Sequence, residues 1–163
     1  MPTSALDGIA YPFPAPPAPA RATEVAAGVF WLRMPLPFAL NHINLWLLED
    51  DGGWCIVDTG LNHAPVRELW TALRGEFMRG LPIRRIIATH YHPDHLGLAA
   101  WLAGQAGCRI SMTAGEQQVA ARIFGEDSQL RVEFFRRHGL AGELLADIAT
   151  WGMSYRRNVS GVP

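Results

Sequence analysis

Three imidazoles and one carboxylate fall within six residues, in the segment His90-Tyr91-His92-Pro93-Asp94-His95. Imidazole nitrogen and carboxylate oxygen are donors that zinc, iron and manganese accept from proteins, and a set without thiolate is more typical of a catalytic centre than of a structural zinc site. The cluster follows the strand-like run 83–89 and precedes Gly97 and an apolar helical pattern. A polar surface turn can contain the same residue types, but this position favours a metal site.

The spacing predicts how the four side chains divide between two ions. Side chains at i and i+2 of an extended segment point the same way, so His90 and His92 can reach one metal. Pro93 disfavours the helical region for His92 and suits the first turn of a helix, which would bring Asp94 and His95 back towards a second metal. Two divalent ions about 3.5–4 Å apart would share a water whose pKa falls to roughly 7. The predicted chemistry is attack of metal-bound hydroxide on an electrophilic centre.

The segment Thr89–Gly97 resembles the His-x-His-x-Asp-His signature of the metallo-β-lactamase superfamily. The run 54–60, which ends in Asp58-Thr59-Gly60, is similar to the strand that precedes this signature in the superfamily. The resemblance implies that Asp58 hydrogen-bonds the ligands and orients them, and that Asp94 is also the catalytic residue. It further implies a binuclear zinc centre with two ions per complete site, with iron or manganese as alternatives. The positions that match the metal ligands of the family are His90, His92, Asp94 and His95.

The resemblance extends from about residue 28 to the end of the chain but covers only the first half of the family's domain. Members of the family supply a further histidine, a bridging aspartate and a last histidine. After His95 this chain offers one histidine, His138, and the aspartates Asp127 and Asp147, all in helix-like sequence, and His138 has a context typical of a helix C-terminus. The expected fold is therefore α/β (α+β): one half of an αββα sandwich with an added helical segment. The expected domains are a flexible Pro-rich arm over residues 1–22 and a domain over residues 23–163 that is incomplete at its C-terminus.

Three functions are compatible with these residues. The resemblance favours a metal-dependent hydrolase of a small ester, thioester or lactone, of which this chain would be the N-terminal half and whose activity alone is doubtful. A mononuclear iron oxidoreductase similar to the persulfide dioxygenases of the superfamily is the first alternative. An inactive half-domain that serves as a binding or assembly module is the second. The sequence identifies no residue that contacts the substrate.

Composition limits the partners. The net charge of −1 argues against nucleic acid, which requires a basic surface. No apolar run reaches the length of a membrane span, and the two cysteines, Cys55 and Cys108, form no Cys-x-x-Cys pair and are expected as buried free thiols in the cytoplasm. The expected partner is a small-molecule substrate. Self-association, or pairing with a missing C-terminal half, is also expected, because half of a sandwich would expose an inner sheet face. The residues assigned to this inner face are Leu45, Leu47, Ile56, Ile86 and Ala88.

The hydrophobic patterns predict five strands, over residues 29–32, 43–48, 54–57, 83–88 and 108–112, with a hairpin turn at residues 50–53. Helices are predicted over residues 66–77, 96–106, 129–138 and 142–153, and another begins at a capping box formed by Thr113 and Glu116. Apolar residues of the last two helices are expected to pack into the core, with a lid over a substrate cleft as the alternative. These residues are Val132, Phe135, Leu144, Leu145, Ile148 and Trp151.

Overall fold

The computed structural model describes residues 12–125 and 128–163, without the side chains of residues 128–131, 149 and 151–154. The strands of this part are β1 (Ala22–Ala26), β2 (Val29–Pro35), β3 (His42–Asp50), β4 (Gly53–Val57), β5 (Ile83–Ile87) and β6 (Arg109–Ser111). Its helices are α1 (Ala64–Glu76), α2 (Pro93–Leu96), α3 (Ala99–Ala106), α4 (Ala114–Phe124), α5 (Ser128–Arg137) and α6 (Gly142–Arg156).

The strands form one six-stranded sheet in chain order. Neighbouring strands are antiparallel from β1 to β4 and parallel from β4 to β6, with α1 and α3 in the two crossover connections. The turn between β3 and β4 places Asp51 and Gly52 at φ values of 45° and 73°, as expected for a hairpin turn whose twist matches that of the strands. The predicted mixed α/β class, the hairpin and the β-α-β unit are confirmed.

Two local predictions differ from the structure. Strand β1 was not predicted, because its sequence Ala-Thr-Glu-Val-Ala has little β preference and the strand is supported by pairing with β2 along the sheet edge. The helix predicted over residues 96–106 is broken, so that α2 ends at Leu96 and α3 begins at Ala99. Gly97 lies at the break, close to the backbone of the loop that follows β4. The break in the helix therefore arises from a contact that is distant in sequence, whereas β1 is supported by the strand that follows it.

The sequence analysis predicted that one face of the sheet would be exposed, but in the structure the helices cover that face. Leu45, Leu47, Ile56, Ile86 and Ala88 are all at most 2% exposed and belong to one cluster with the buried side chains of α1 and α3. The assignment was wrong because the period-two alternation of a strand distinguishes two faces but does not show which face the helices occupy. In this chain the amphipathic helices of the crossovers occupy it.

The opposite face carries a row of partly buried apolar side chains across four strands. Trp31 pairs with Trp46, Trp46 with Val57, and Val57 with Ile87, so these residues lie on one face. Phe13 packs edge-on against Trp31, with ring centroids 6.2 Å apart, and covers one end of the row. If a partner covers a face of this sheet, it covers the face that carries this row. Self-association was expected through the other face, and self-association itself stays a prediction.

Helices α5 and α6 do not enter the core in the way that their periodicity suggested. Leu144 is 59% exposed, and Val132, Phe135, Leu145 and Ile148 are partly buried but outside the buried cluster. The core prediction is therefore wrong for these residues, the side chain of Trp151 lies outside the described part, and the lid stays a prediction. In the part of the chain that the structure covers, no helix has the length and apolar character needed to cross a bilayer.

Both cysteines are free thiols, as the sequence predicted, with Cys55 buried and Cys108 partly buried. Burial raises the pKa of each thiol above its ordinary value. A thiol with a raised pKa carries little thiolate at neutral pH, so neither cysteine has the character of a nucleophile.

Candidate metal centre

The polar cluster lies where two parallel strands end side by side. Val57, the last residue of β4, pairs with Ile87, the last residue of β5. The N–H of Asp58 donates to the carbonyl of Ile87 at 2.8 Å, so the loops that follow the two strands remain together beyond the sheet. Carboxyl ends of neighbouring parallel strands are a common position for ligand sites in α/β folds.

The structure brings the four predicted ligand side chains together. His92 has an extended backbone with φ −59° and ψ 144°, and α2 begins at Pro93, as the proline predicted. The ring of His90 lies 4.7 Å from that of His92 and 3.9 Å from that of His95, measured between centroids. His95 Nε2 is 3.6 Å from Asp94 Oδ2. The Tyr91 ring packs against the core, as expected, and its edge-on contact with the His92 ring has centroids 4.7 Å apart.

Asp58 is the buried anchor of the cluster. Its side chain accepts hydrogen bonds from the Thr89 N–H at 2.7 Å, the Thr89 hydroxyl at 2.8 Å and His95 Nδ1 at 2.8 Å. Burial alone would raise the pKa of Asp58, but the hydrogen bonds from His95 and Thr89 outweigh it and lower the pKa below its ordinary value. Asp58 is therefore an ionised acceptor, even though it is only 5% exposed.

This anchor determines which nitrogens of two histidines carry lone pairs. Because Asp58 is ionised, His95 Nδ1 must be the donor between them, which leaves Nε2 unprotonated in the neutral ring. The Thr89 hydroxyl donates to Asp58 and so accepts from His90 Nδ1 at 3.0 Å, which leaves His90 Nε2 unprotonated as well. Metal-binding histidines are oriented by carboxylates in the same way.

His90 is also held neutral by its surroundings. Burial and the neighbouring imidazoles of His95 and His92 lower the pKa of His90 below its ordinary value. A neutral imidazole is the form that binds a metal ion, because protonation removes the lone pair. The environment of His90 therefore favours its ligand form at neutral pH.

Thr59 is a further supporting residue to which the sequence assigned no role. It is fully buried, and both its N–H and its hydroxyl donate to the carbonyl of His95 at 2.8 Å. Its hydroxyl oxygen accepts the N–H of Leu98 at 3.1 Å. Thr59 thus ties the backbone of α2 to the loop after β4. Thr59 belongs to the Asp58-Thr59-Gly60 run that resembles the family, but the resemblance assigned a role only to Asp58.

The donor set fits a divalent transition metal ion. Three imidazoles and a carboxylate converge, and two of the imidazoles have Nε2 free of a proton. His90 Nε2 is hydrogen-bonded to His92 Nδ1 at 3.0 Å, so these two nitrogens face each other. In residues 12–125 and 128–163, no three His, Cys, Asp or Glu side chains have their donors arranged around a single ion. Metal binding by these residues is accordingly a proposal.

A cavity of about 440 Å³ opens beside His92 and Asp94. Its wall is largely apolar and includes Phe38 from the loop between β2 and β3, which is 52% exposed, and Tyr155 from the last turn of α6. Sequence reasoning identified neither residue, since each lies far from the histidine motif in the chain. The residues that line the cavity are Phe38, Leu61, His92, Pro93, Asp94, Tyr155 and Asn158.

Comparison with known families agrees with the motif. A family model for the metallo-beta-lactamase superfamily matches residues 39–151. The chain is similar to hydroxyacylglutathione hydrolases of Methylobacillus flagellatus, with 38% identity over 82 residues, and of Albidiferax ferrireducens, with 36% over 84 residues. The matches cover 50% and 51% of this chain and 29% of each relative. The chain thus matches less than a third of the length of these relatives.

Solved structures give the same result for the fold. A beta-lactamase domain protein from Burkholderia ambifaria superposes with a TM-score of 0.72 at 41% identity, over 94% of this chain and 44% of that protein. A metallo-beta-lactamase family protein from Thermus thermophilus superposes with a TM-score of 0.61 at 28% identity, over 78% of this chain and 43% of that protein. The chain spans less than half the length of these two proteins.

Proposed function

The chain belongs to the metallo-β-lactamase superfamily, and on that premise we propose that it carries the first half of the active site of a metal-dependent hydrolase. The observation that carries this proposal is the convergence of His90, His92, Asp94 and His95 beside an apolar cavity, with Asp58 as their buried anchor. The proposed substrate is a small ester, thioester or lactone.

These four side chains would hold the metal, with zinc as the proposed ion. A divalent ion bound there would lower the pKa of a coordinated water to about 7 and so supply hydroxide near a carbonyl carbon. Asp58 keeps His95 in the required tautomer directly and His90 through Thr89. Asp94 lies on the cavity wall and would accept a proton from the attacking water on its carboxylate and return it to the leaving group.

The cavity supports an acyl group of apolar or mixed character. Phe38, Leu61 and Tyr155 line it next to His92 and Asp94, so an acyl chain seated there would bring its carbonyl towards the histidines. The matched relatives named hydroxyacylglutathione hydrolase support a thioester in particular.

Chelation tests the proposed function. Purified protein is assayed with an acylglutathione thioester, an aryl ester and a lactone, before and after removal of metal and after addition of Zn²⁺ or Fe²⁺. We expect hydrolysis of at least one substrate to be lost on chelation and restored by Zn²⁺. Turnover that needs Fe²⁺ and consumes oxygen would favour the oxidoreductase instead. Hydrolysis that is unaffected by chelation, or that Zn²⁺ does not restore, would contradict the proposal.

A further inference from the structure

Helix α4 makes a direct contact with the histidine motif from outside it. The N–H of Tyr91, the residue between His90 and His92, donates to Glu116 Oε2 at 2.9 Å. Glu116 lies in the first turn of α4, 25 residues further along the chain. Tyr91 follows the end of β5 at Ile87, so its N–H has left the sheet.

Glu116 serves this contact in place of its expected local role. The sequence predicted a capping box, in which the glutamate would bond to the backbone N–H of Thr113. The first half of that box is present, since the Thr113 hydroxyl accepts the Glu116 N–H at 3.3 Å. The carboxylate instead accepts the N–H of Tyr91. A partly buried carboxylate is thus directed from its own helix to the loop that carries the histidines.

The other end of α4 holds the side chain of the same residue. Phe124, the last residue of α4, packs against the ring of Tyr91 with centroids 6.4 Å apart, and stacks on Tyr155 at 5.6 Å. The Tyr91 ring in turn contacts His92 edge-on at 4.7 Å. One rigid helix therefore fixes both the backbone and the ring of Tyr91.

We propose that Glu116 is a positioning residue that sets the spacing of His90 and His92 for metal binding, an inference that rests on the proposed function. Two histidines at i and i+2 can face one ion only while the backbone between them keeps a single conformation, which here is a bend over residues 89–91. A hydrogen bond from a backbone N–H to a carboxylate is stronger than one between neutral groups, so it holds this conformation in a loop that has no strand partner. Glu116 acts through Tyr91 and does not touch the metal itself.

Metal affinity tests this role separately from catalysis. Co²⁺ is titrated into the wild-type chain and its Glu116→Ala and Glu116→Gln variants, and binding is followed by the visible absorption of the ion and by calorimetry. We expect Glu116→Ala to weaken Co²⁺ binding by about 10–100-fold, the usual effect of removing a group that orients a ligand. Glu116→Gln should stay within about threefold of wild type, because its amide oxygen still accepts the Tyr91 N–H.

Glu143→Ala is the matched control, since Glu143 is an exposed acidic residue in the first turn of α6. This variant also removes a negative charge from the first turn of a helix, so its Tm should change by a similar amount. Its Co²⁺ affinity should be unchanged. Wild-type affinity in Glu116→Ala would overturn the proposal, as would equal damage in Glu116→Gln or no Co²⁺ binding by the wild type. Glu116-dependent Co²⁺ binding together with hydrolysis that chelation does not affect would instead refute the proposed function alone.

Discussion

Replacing Asp94 by asparagine is expected to lower kcat for the best ester or thioester substrate by a factor of about 10²–10⁴. The amide keeps the size of the side chain but cannot take up a proton at neutral pH and is a weaker metal ligand. Asp94 lies on the cavity wall, with Oδ2 3.6 Å from His95 Nε2, so both losses fall on the reacting region. Steady-state kinetics with saturating Zn²⁺ measure the effect.

Asp51→Asn is the matched control for this change. Asp51 lies in the turn between β3 and β4, at the opposite end of β4 from the cluster, and asparagine tolerates its φ of 45°. We expect wild-type kcat for Asp51→Asn. If Asp94→Asn retained wild-type kcat, the proton-transfer role of Asp94 would have to be withdrawn.

Replacing Gly97 by alanine is expected to destabilise the fold by about 3 kcal/mol or more, the upper end of the cost of overpacking. A Cβ at this position would lie 2.5 Å from the carbonyl oxygen of Gly60 and 2.7 Å from the backbone nitrogen of Asn62, and closer still to the carbonyl oxygen of Pro93. All three are backbone atoms, so no side chain can rotate away. The φ of Gly97 is −50°, which alanine adopts freely, so the effect would be steric alone.

Gly104→Ala separates this effect from a general response to alanine. Gly104 lies within α3, and a Cβ there would meet no atom within 4 Å. Alanine at a helical glycine is expected to stabilise by roughly 0.5–1 kcal/mol. Thermal unfolding should therefore show a Tm about 10 °C lower for Gly97→Ala and a slightly higher Tm for Gly104→Ala. A wild-type Tm for Gly97→Ala would contradict this prediction, because it would show that Gly97 and the loop after β4 can move apart without loss of stability.

The ligand cluster was predictable because its geometry is local. The four donors lie within six residues, and Pro93 alone determines that His92 is extended and that a helix begins next. The hairpin at Asp51 and Gly52 was predictable for the same reason, since two adjacent residues specify the turn. In both places the chain needs no distant partner to define the backbone.

The support of the cluster was less predictable, because it depends on long-range contacts. Asp58 and His95 are 37 residues apart, and Tyr91 and Glu116 are 25 apart. The family resemblance supplied Asp58, but Glu116 looked like half of a capping box, and only the position of α4 shows its second partner. Phe38 and Tyr155 both line the cavity although they lie far apart in the chain, and no local sequence pattern marks either residue.

The faces of the sheet show a third limit of the sequence. Alternation along β3 and β4 correctly separated Leu47 and Ile56 from Trp46 and Val57. Both sets are apolar, so hydrophobicity did not show which set lies under the helices. That choice depends on the handedness of the crossovers between β4, β5 and β6, which places α1 and α3 on one side.

The central claim, that the histidine motif binds metal, is tested most directly by the metal content of the purified chain. After loading with Zn²⁺ and dialysis, elemental analysis of the wild type should show zinc at less than two equivalents, since four donors shared between two ions leave each ion incompletely held. His90→Ala combined with His92→Ala should remove most of it. His42→Ala combined with His63→Ala removes two imidazoles outside the cluster and should leave the zinc content unchanged. Equal zinc in the wild type and the His90/His92 double variant would contradict the account.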